Sequence, residues 1–214
     1  MTSRMHELPA ESGEQLRLRE QLRAELRTAY DDIITGWARA LDMREQQAEG
    51  HSARAADLTV RLGRALGLDE EVLVHLRRGA LLHDIGTMLI PDAVLLKPGP
   101  LTAQEWEAIR RHPTYAYEIL FPITQFRPAL DIPYCHHEKW DGSGYPRRLV
   151  GEQIPIAARI YSVVDVWDAL CSQRPYRAPW TPEEAQEYIC DHVGREFDPG
   201  TVDAFIAMDR DPPS

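Results

Sequence analysis

The sequence of 214 residues has few cysteines, few lysines and no long apolar run. Three cysteines without a CxxC pair cannot build a disulfide framework, so a reducing compartment, the cytoplasm, is expected. No apolar stretch reaches the ~18 residues that a transmembrane helix needs. The N-terminus, MTSRMHELPAESGEQ, contains no apolar segment of the secretory type. The sequence therefore predicts neither a membrane span nor a secretory signal.

The net charge of −10 results from 24 basic and 34 acidic side chains. This balance argues against electrostatic binding to duplex DNA or to anionic lipid. It leaves room for a small anion, because a local basic pocket or a metal can outweigh the overall charge. Only two of the basic residues are lysines, Lys97 and Lys139. A phosphate site is therefore expected to use arginine, whose planar fork matches phosphate oxygens.

Apolar residues recur every three or four positions along most of the chain, and no segment alternates with a period of two. The pattern predicts an all-α fold. Residues 1–13 have no periodic pattern and are expected to be flexible. A long first helix starts near Glu14. Its apolar stripe is typical either of a signalling helix or short coiled coil, which would allow homodimerisation, or of an amphipathic helix packed on the domain.

Capping and turn residues mark the later elements. Asp69 is a candidate N-cap, and Thr102 with Glu105 forms a capping box. Prolines and a glycine predict a loop from Ile90 to Pro100. Residues 138–155 are rich in glycine and proline, and they predict a long loop of a kind that is often functional. We call it the GYP loop, after its residues 144–146. Further helices are expected at about 156–171, 182–193 and 199–208.

A few histidines and aspartates stand out as candidate metal ligands. They are a His-Asp pair after an apolar helix, a histidine before a proline, two adjacent histidines and an aspartate in an apolar helix: His83 and Asp84, His112, His136 and His137, and Asp165. A lone buried carboxylate is costly unless it is paired or bound to a metal. Imidazole with carboxylate suits Fe, Mn or Zn rather than Mg or Ca. Taken singly, each signal also fits a surface histidine or a partner of an arginine.

The adjacent histidines suggest that two ions share the site. Adjacent residues on a helix point ~100° apart, so His136 and His137 are expected to serve different ions. A carboxylate such as Asp84 can bridge two metals ~3.5–4 Å apart. Such a pair can hold a hydroxide and direct it at phosphorus.

The order of the motifs resembles that of an HD-GYP domain, the cyclic di-GMP phosphodiesterase branch of the HD metal-dependent phosphohydrolases. The resemblance covers about Thr28 to Met208. It implies an HD-domain-like helical bundle with a long GYP loop at 28–214, preceded by a flexible N-terminus and helical linker at 1–27. The motifs are HSARAADL at 51–58, LLHDIG at 81–86, IPDAVLLKPGPLT at 90–102, RHP at 111–113, HHEKWDGSGYP at 136–146, GEQIP at 151–155, ARIYSVVDVWDAL at 158–170, RPYR at 174–177 and FDP at 197–199.

The same resemblance implies the site residues. Two divalent ions, Fe or Mn, would be held by His51, His83, Asp84, His112, His136, His137 and Asp165. Asp84 is implied as the bridge, and catalysis is assigned to Asp84 and His83. Arg174 and Arg177 are implied to hold the substrate phosphates. The GYP loop, with Asp141, Gly144 and Tyr145, is implied to line the substrate cleft or to meet a signalling partner such as a GGDEF domain.

Four positions depart from the family pattern, and one of them is Ala116, where glycine is common. Thr87 stands where many members have a lysine near the substrate phosphate, so this substrate-binding position supplies a hydroxyl without a charge. Gln47 stands where some members have a glutamate that serves a third metal, and two ions are therefore expected. Arg148 stands where glycine is common, and it adds charge beside Tyr145.

These features lead to two hypotheses. The first is a phosphodiesterase that opens cyclic di-GMP to pGpG by attack of a metal-bridging hydroxide. Further cleavage to GMP and action on a related cyclic dinucleotide are left open. The second is a catalytically weak or inactive domain that acts as a cyclic dinucleotide sensor or a protein-interaction module, and Thr87 and Arg148 motivate it. Neither hypothesis involves DNA.

Overall fold

The structure, a computed structural model, describes residues 12–47, 50–173 and 178–210. The described chain is all-α, as predicted. It contains no β-strand, and its β-type pairing is an isolated bridge between Val193 and Phe197. None of its helices has the length and apolar character needed to cross a membrane. The helices are α1 (Gly13–Glu45), α2 (His51–Ala65), α3 (Glu70–Leu81), α4 (Asp92–Leu95), α5 (Ala103–Ile109), α6 (His112–Leu120), α7 (Asp131–Cys135), α8 (Ile156–Cys171), α9 (Pro182–Asp191) and α10 (Pro199–Arg210).

The chain divides into two compact units, Met1–Ile33 and Ile34–Ser214. In the first unit the described residues are helical from Gly13 onward. The second unit contains the remainder of α1 and all of α2 to α10. The flexible segment expected at 1–13 lies outside the described residues except for its last two positions.

The core of the second unit forms where α2 packs on α3 and α8. Their apolar faces bury Leu62, Leu82 and Ile160 completely. Burial of each such side chain contributes ~1.5–3 kcal/mol. In addition, α7 packs on α3, α6 and α8. This packing holds the ends of several helices around one point.

Two capping boxes set the starts of helices in this unit. Thr102 and Glu105 cap α5, as predicted, and Thr181 with Glu184 caps α9 in the same way. Asp69 occupies the N-cap position of α3 with an extended backbone.

The segment from Ile90 to Pro100 is not wholly a loop, because α4 lies within it. Pro91 and Pro98 flank this helix, so the residues that predicted a loop bound the helix instead of interrupting it. The GYP loop also contains a single 3₁₀ turn, at Gly151–Gln153. The three last helices lie close to their predicted positions.

Candidate metal centre

The seven predicted ligands come together from five helices. Six of them lie at the starts of α2 and α6 or just after the ends of α3 and α7, and one lies within α8. Their donor atoms form two groups, and within each group the atoms all lie within 4.8 Å of one another. One group is Asp84, His112, His136 and His137, and the other is His51, His83 and Asp165.

Asp84 stands between the two groups. Its Oδ1 lies 3.2 Å from Nε2 of His112 and 3.6 Å from Nε2 of His136. Its Oδ2 lies 2.9 Å from Nε2 of His83, which belongs to the other group. Because its two oxygens face different groups, this carboxylate has the geometry to bridge two cations.

The prediction that His136 and His137 serve different ions is wrong, since donor atoms of both belong to one group. Helix α7 ends at Cys135, and the two histidines follow it in a turn. The ~100° spacing of a continuous helix therefore does not apply to them. Their ring centroids are 4.0 Å apart, with 43° between the planes. The turn allows consecutive imidazoles to face the same point.

Backbone carbonyls fix the orientation of three of the histidine rings. Nδ1 of His83 lies 2.9 Å from the Ala80 oxygen, and His112 and His136 make equivalent contacts of 2.8 and 3.0 Å to carbonyls three or four residues earlier. A carbonyl only accepts, so each Nδ1 carries the proton in these contacts. Each Nε2 is left to face the carboxylate. This is the arrangement by which proteins prepare histidine as a metal ligand.

One contact within the cluster shows that the donor set fits a metal. Nε2 of His112 and Nε2 of His136 lie 3.3 Å apart. When both rings are neutral and donate through Nδ1, they bring two nitrogen lone pairs together. A cation between the nitrogens removes that repulsion. Two imidazoles with a shared carboxylate suit Fe, Mn or Zn.

The charges of the cluster shift several pKa values. Burial disfavours the charged form of His83, but the charge and hydrogen bond of Asp84 outweigh burial and raise the pKa of His83 to about 10. Burial likewise disfavours ionised Asp84, yet the neighbouring histidines hold its pKa well below the ordinary value. Burial lowers the pKa of His136 and of His137. A histidine must lose its proton before it can bind a metal, so metal binding at His83 is expected to weaken as the pH falls.

Asp168, which was not among the predicted residues, orients His51. Its Oδ2 lies 2.6 Å from Nδ1 of His51, and Nε of Arg54 donates to its Oδ1 at 3.1 Å. Burial raises the pKa of Asp168, but the hydrogen bonds from His51 and Arg54 outweigh burial and lower it to about 2. The sequence does carry a signal for this residue. It follows Asp165 by three positions on an apolar helix, so the two carboxylates share a face.

Thr87 is buried, and its hydroxyl is engaged within the protein. Its Oγ1 lies 2.5 Å from Oε1 of Glu45 and 2.8 Å from the Asp84 carbonyl oxygen. Burial and the negative charge of Asp84 raise the pKa of Glu45 to about 7. No sequence motif marked Glu45. Neither Glu45 nor Gln47 belongs to the two ligand groups found in the described chain.

Glu45→Gln is expected to stabilise the metal-free protein more at pH 8 than at pH 5. The folded-state pKa of Glu45 lies above its ordinary 4.5, so folding takes up a proton between about pH 4.5 and 7 and stability is lost as the pH rises through that range. The glutamine side chain does not titrate, so the variant does not lose this stability as the pH rises. The gain should grow by roughly 1–3 kcal/mol between the two pH values. Urea denaturation in the presence of a chelator measures this gain in stability. Glu107→Gln, at an exposed position, is the control. An equal effect at both pH values would contradict the assignment.

The GYP loop is held by Glu138 and by contacts with His137. The buried Glu138 carboxylate accepts from the N–H of Arg147 at 2.7 Å and from that of Leu149 at 2.9 Å. The N–H of Tyr145 donates to the His137 carbonyl at 3.1 Å, and the two rings stack with centroids 4.8 Å apart. A β-carbon at Gly144 would overlap the backbone of Glu138. Tyr145 therefore lies directly against a candidate ligand.

Gly86→Ala is expected to destabilise the protein by about 3 kcal/mol or more. An added β-carbon would overlap the carbonyl oxygen of His112 and lie 2.7 Å from the backbone nitrogen of Ala116. Helix α6 would have to move, and His112 would move with it. Gly36→Ala is the control, because it meets nothing within 4 Å and should stabilise α1 by ~1 kcal/mol. Urea denaturation compares them, and equal stabilities would refute the close approach of α6.

A cleft of about 540 Å³ opens beside the GYP loop. The predicted residues Gly144 and Tyr145 line it. Asp141 is not among the residues that line this cleft, and its carboxylate accepts a hydrogen bond from the N–H of Ser143 at 2.8 Å. The predicted phosphate ligands Arg174 and Arg177 lie outside the described residues.

Comparisons with known proteins agree with this site. Residues 37–201 match the HD domain family. The chain is 39% identical over 187 residues to a 3′3′-cGAMP-specific phosphodiesterase of Vibrio cholerae, which covers 86% of this chain and 36% of that protein. It is 42% identical over 177 residues to a cyclic di-GMP phosphodiesterase response regulator of Xanthomonas campestris, covering 82% and 47%.

A solved structure supports the same fold. The crystal structure of a cyclic GMP-AMP specific phosphodiesterase of V. cholerae matches with a TM-score of 0.67 and 24% identity, over 84% of this chain and 48% of that one. This chain thus spans about a third to a half of the length of these relatives. The chain belongs to the HD domain family, in agreement with the HD-GYP motifs of its sequence.

Proposed function

We propose that this chain is a metal-dependent phosphodiesterase that hydrolyses cyclic di-GMP to pGpG. The observation that carries the proposal is the position of Asp84, whose two carboxylate oxygens face two separate groups of donors. Curated relatives that share 39% and 42% identity with the chain are named phosphodiesterases of cyclic dinucleotides. These names favour the same class of substrate here.

In this proposal the two donor groups hold two divalent ions, Fe or Mn. When bound, such ions supply positive charge for the phosphoryl oxygens and acidify water at neutral pH. Asp84 ties the groups together, while carbonyls and Asp168 hold the histidine rings in place. Arg174 and Arg177 are proposed to pair with the substrate phosphates, for which their planar forks are suited. Tyr145 forms the wall between the donors and the cleft.

The test starts from protein purified without oxygen. Bound metal is quantified, cyclic di-GMP is added with Fe(II) or Mn(II), and products are followed by chromatography. We expect two ions per chain and the appearance of pGpG. The same traces show whether cleavage proceeds to GMP. Full metal occupancy without any product would overturn the proposal.

A second candidate function is a cyclic dinucleotide sensor with little or no turnover. The favouring observation is Thr87, which has no positive charge and whose hydroxyl already contacts Glu45. A sensor binds cyclic di-GMP with metal present and releases no product. Thr87→Lys restores the charge common in the family. A rise in turnover in that variant would support the sensor, whereas rapid turnover by the unchanged protein would exclude it.

We also propose a cytoplasmic location and partners for two surfaces. Free thiols at Cys135 and Cys190 suit a reducing compartment. Leu22 on α1 is 50% exposed, which favours a homodimer through this helix, and light scattering of Leu22→Glu against the unchanged protein tests it. A GGDEF domain is the proposed partner of the GYP loop, and a titration with a purified GGDEF domain that gave no binding would exclude it.

A further inference from the structure

The cleft beside the GYP loop has the chemistry of a nucleotide site. Its volume of about 540 Å³ is typical of small-molecule sites. Its lining combines three cations, two aromatic rings and a stretch of loop backbone: Arg110, Lys139 and Arg148, then Trp106 and Tyr145, and then Gly142–Gly144. The chain as a whole is acidic, with a net charge of −10. A basic, aromatic cleft on an acidic protein indicates a planar, anionic ligand.

Two of the three cations are available to a ligand. Lys139 is neutralised by Glu196, whose Oε2 lies 2.9 Å from its Nζ. Arg110 and Arg148 are exposed, and among residues 12–47, 50–173 and 178–210 no carboxylate pairs with either of them. The charged side chains that line the cleft are all hydrogen-bond donors.

Arg110 lies over two aromatic rings of the cleft. Its guanidinium carbon lies 6.0 Å from the ring centroid of Trp106 and 5.7 Å from that of Tyr145. A guanidinium that stacks on an aromatic ring keeps its N–H donors, which lie in its own plane, for a ligand. A fork of two parallel donors matches O6 and N7 of guanine, whereas the N6 amino group of adenine is itself a donor.

The cleft and the candidate metal centre share a wall. The ring of Tyr145 lines the cleft and stacks on the ring of His137, with centroids 4.8 Å apart. His137 belongs to the group that contains Asp84. The cleft therefore lies next to the donors at which a phosphodiester would be placed.

From these contacts we infer that the cleft binds one guanine nucleotide half of the substrate, with Arg110 as the residue that selects guanine and Arg148 as a second contact to phosphate or base. This inference rests on the proposed function, because it assigns a binding site to one half of that same substrate. The cleft then prefers cyclic di-GMP or a mixed guanine–adenine dinucleotide over cyclic di-AMP.

Kinetics with two substrates test the inference. Arg110→Ala should raise KM for cyclic di-GMP ~10–100-fold, and it should reduce the preference for cyclic di-GMP over cyclic di-AMP by a similar factor. Hydrolysis of bis(p-nitrophenyl) phosphate, which has no purine, should fall far less than hydrolysis of cyclic di-GMP. Arg148→Gly, which suits the left-handed backbone at φ 56°, should raise KM less.

Arg111→Ala is the matched control. It removes an exposed arginine from the next position, whose guanidinium lies over Tyr115 and not in the cleft. If Arg110→Ala and Arg111→Ala have the same KM and the same substrate preference, the inference is overturned while the proposed function stands.

Calorimetric titration with cyclic di-GMP distinguishes a failure of the proposed function from a failure of the inference about the cleft. If the metal-loaded protein cleaves neither substrate, the proposed function fails, but weaker binding by Arg110→Ala than by Arg111→Ala still supports the cleft. If the unchanged protein shows no binding and no cleavage, both proposals are overturned.

Discussion

Asp84→Ala is expected to lose both metal ions and to hydrolyse cyclic di-GMP on the order of 10³-fold or more slowly. The reason is geometric, because one carboxylate oxygen faces His112 and the other faces His83. Removing the side chain takes a ligand from both donor groups at once. Elemental analysis after desalting measures the metal, and chromatography of the products measures the rate.

The interpretation of that variant depends on its fold. Asp92→Ala is a suitable control, because it removes a 71% exposed carboxylate nearby that pairs with Arg44. It should keep its metal and its rate. Circular dichroism should show Asp84→Ala as helical as the parent. An Asp84→Ala protein that retained two ions and full turnover would refute the bridging role, and with it the proposed mechanism.

The helical architecture could be predicted from sequence because its signals are local. The three- and four-residue periodicity located α8, α9 and α10, and the capping box of Thr102 and Glu105 located the start of α5. The short helix α4 was missed, because the flanking prolines look the same whether they bound a helix or belong to a loop. A four-residue helix also has no periodicity to detect.

The candidate site was predicted from the order of its motifs and not from spacing. The donors lie far apart in sequence, so periodicity could not place His51 near Asp165. Adjacent His136 and His137 were assigned to different ions on the assumption of a continuous helix, but α7 ends before them. A helix end of this kind depends on tertiary packing.

Supporting residues were harder to find than ligands. Glu45 and Glu138 act through side chains and backbone groups brought near by the fold, at Thr87 and at Arg147 and Leu149. In a polar stretch of sequence, nothing local distinguishes a buried glutamate from an exposed one. Only the packed structure separates these carboxylates from the exposed ones.

Asp168→Asn is expected to weaken Mn(II) affinity ~10–100-fold while leaving the fold intact. Ionised Asp168 accepts from Nδ1 of His51 at 2.6 Å, and this fixes the proton on Nδ1 and leaves Nε2 toward Asp165, 3.9 Å away. Asparagine fits the same space but carries no charge, and its amide can donate where the carboxylate only accepts. Titration of metal-free protein with Mn(II), followed by electron paramagnetic resonance of the free ion, gives the affinity.

Arg54→Ala distinguishes two explanations for a loss of Mn(II) affinity in Asp168→Asn. One is a changed orientation of the His51 imidazole, and the other is weaker packing of α2 on α8. Arg54 joins the same two helices through Asp168, but its side chain is 47% exposed, and its removal leaves the bond between Asp168 and His51 in place. If Asp168 acts by orienting His51, Mn(II) affinity should fall far more in Asp168→Asn than in Arg54→Ala. Equal losses in the two variants would mean that the helix contact matters and the imidazole tautomer does not. Because Asp168 contacts His51 and belongs to neither donor group, this comparison tests whether the centre depends on a residue outside its own candidate ligands.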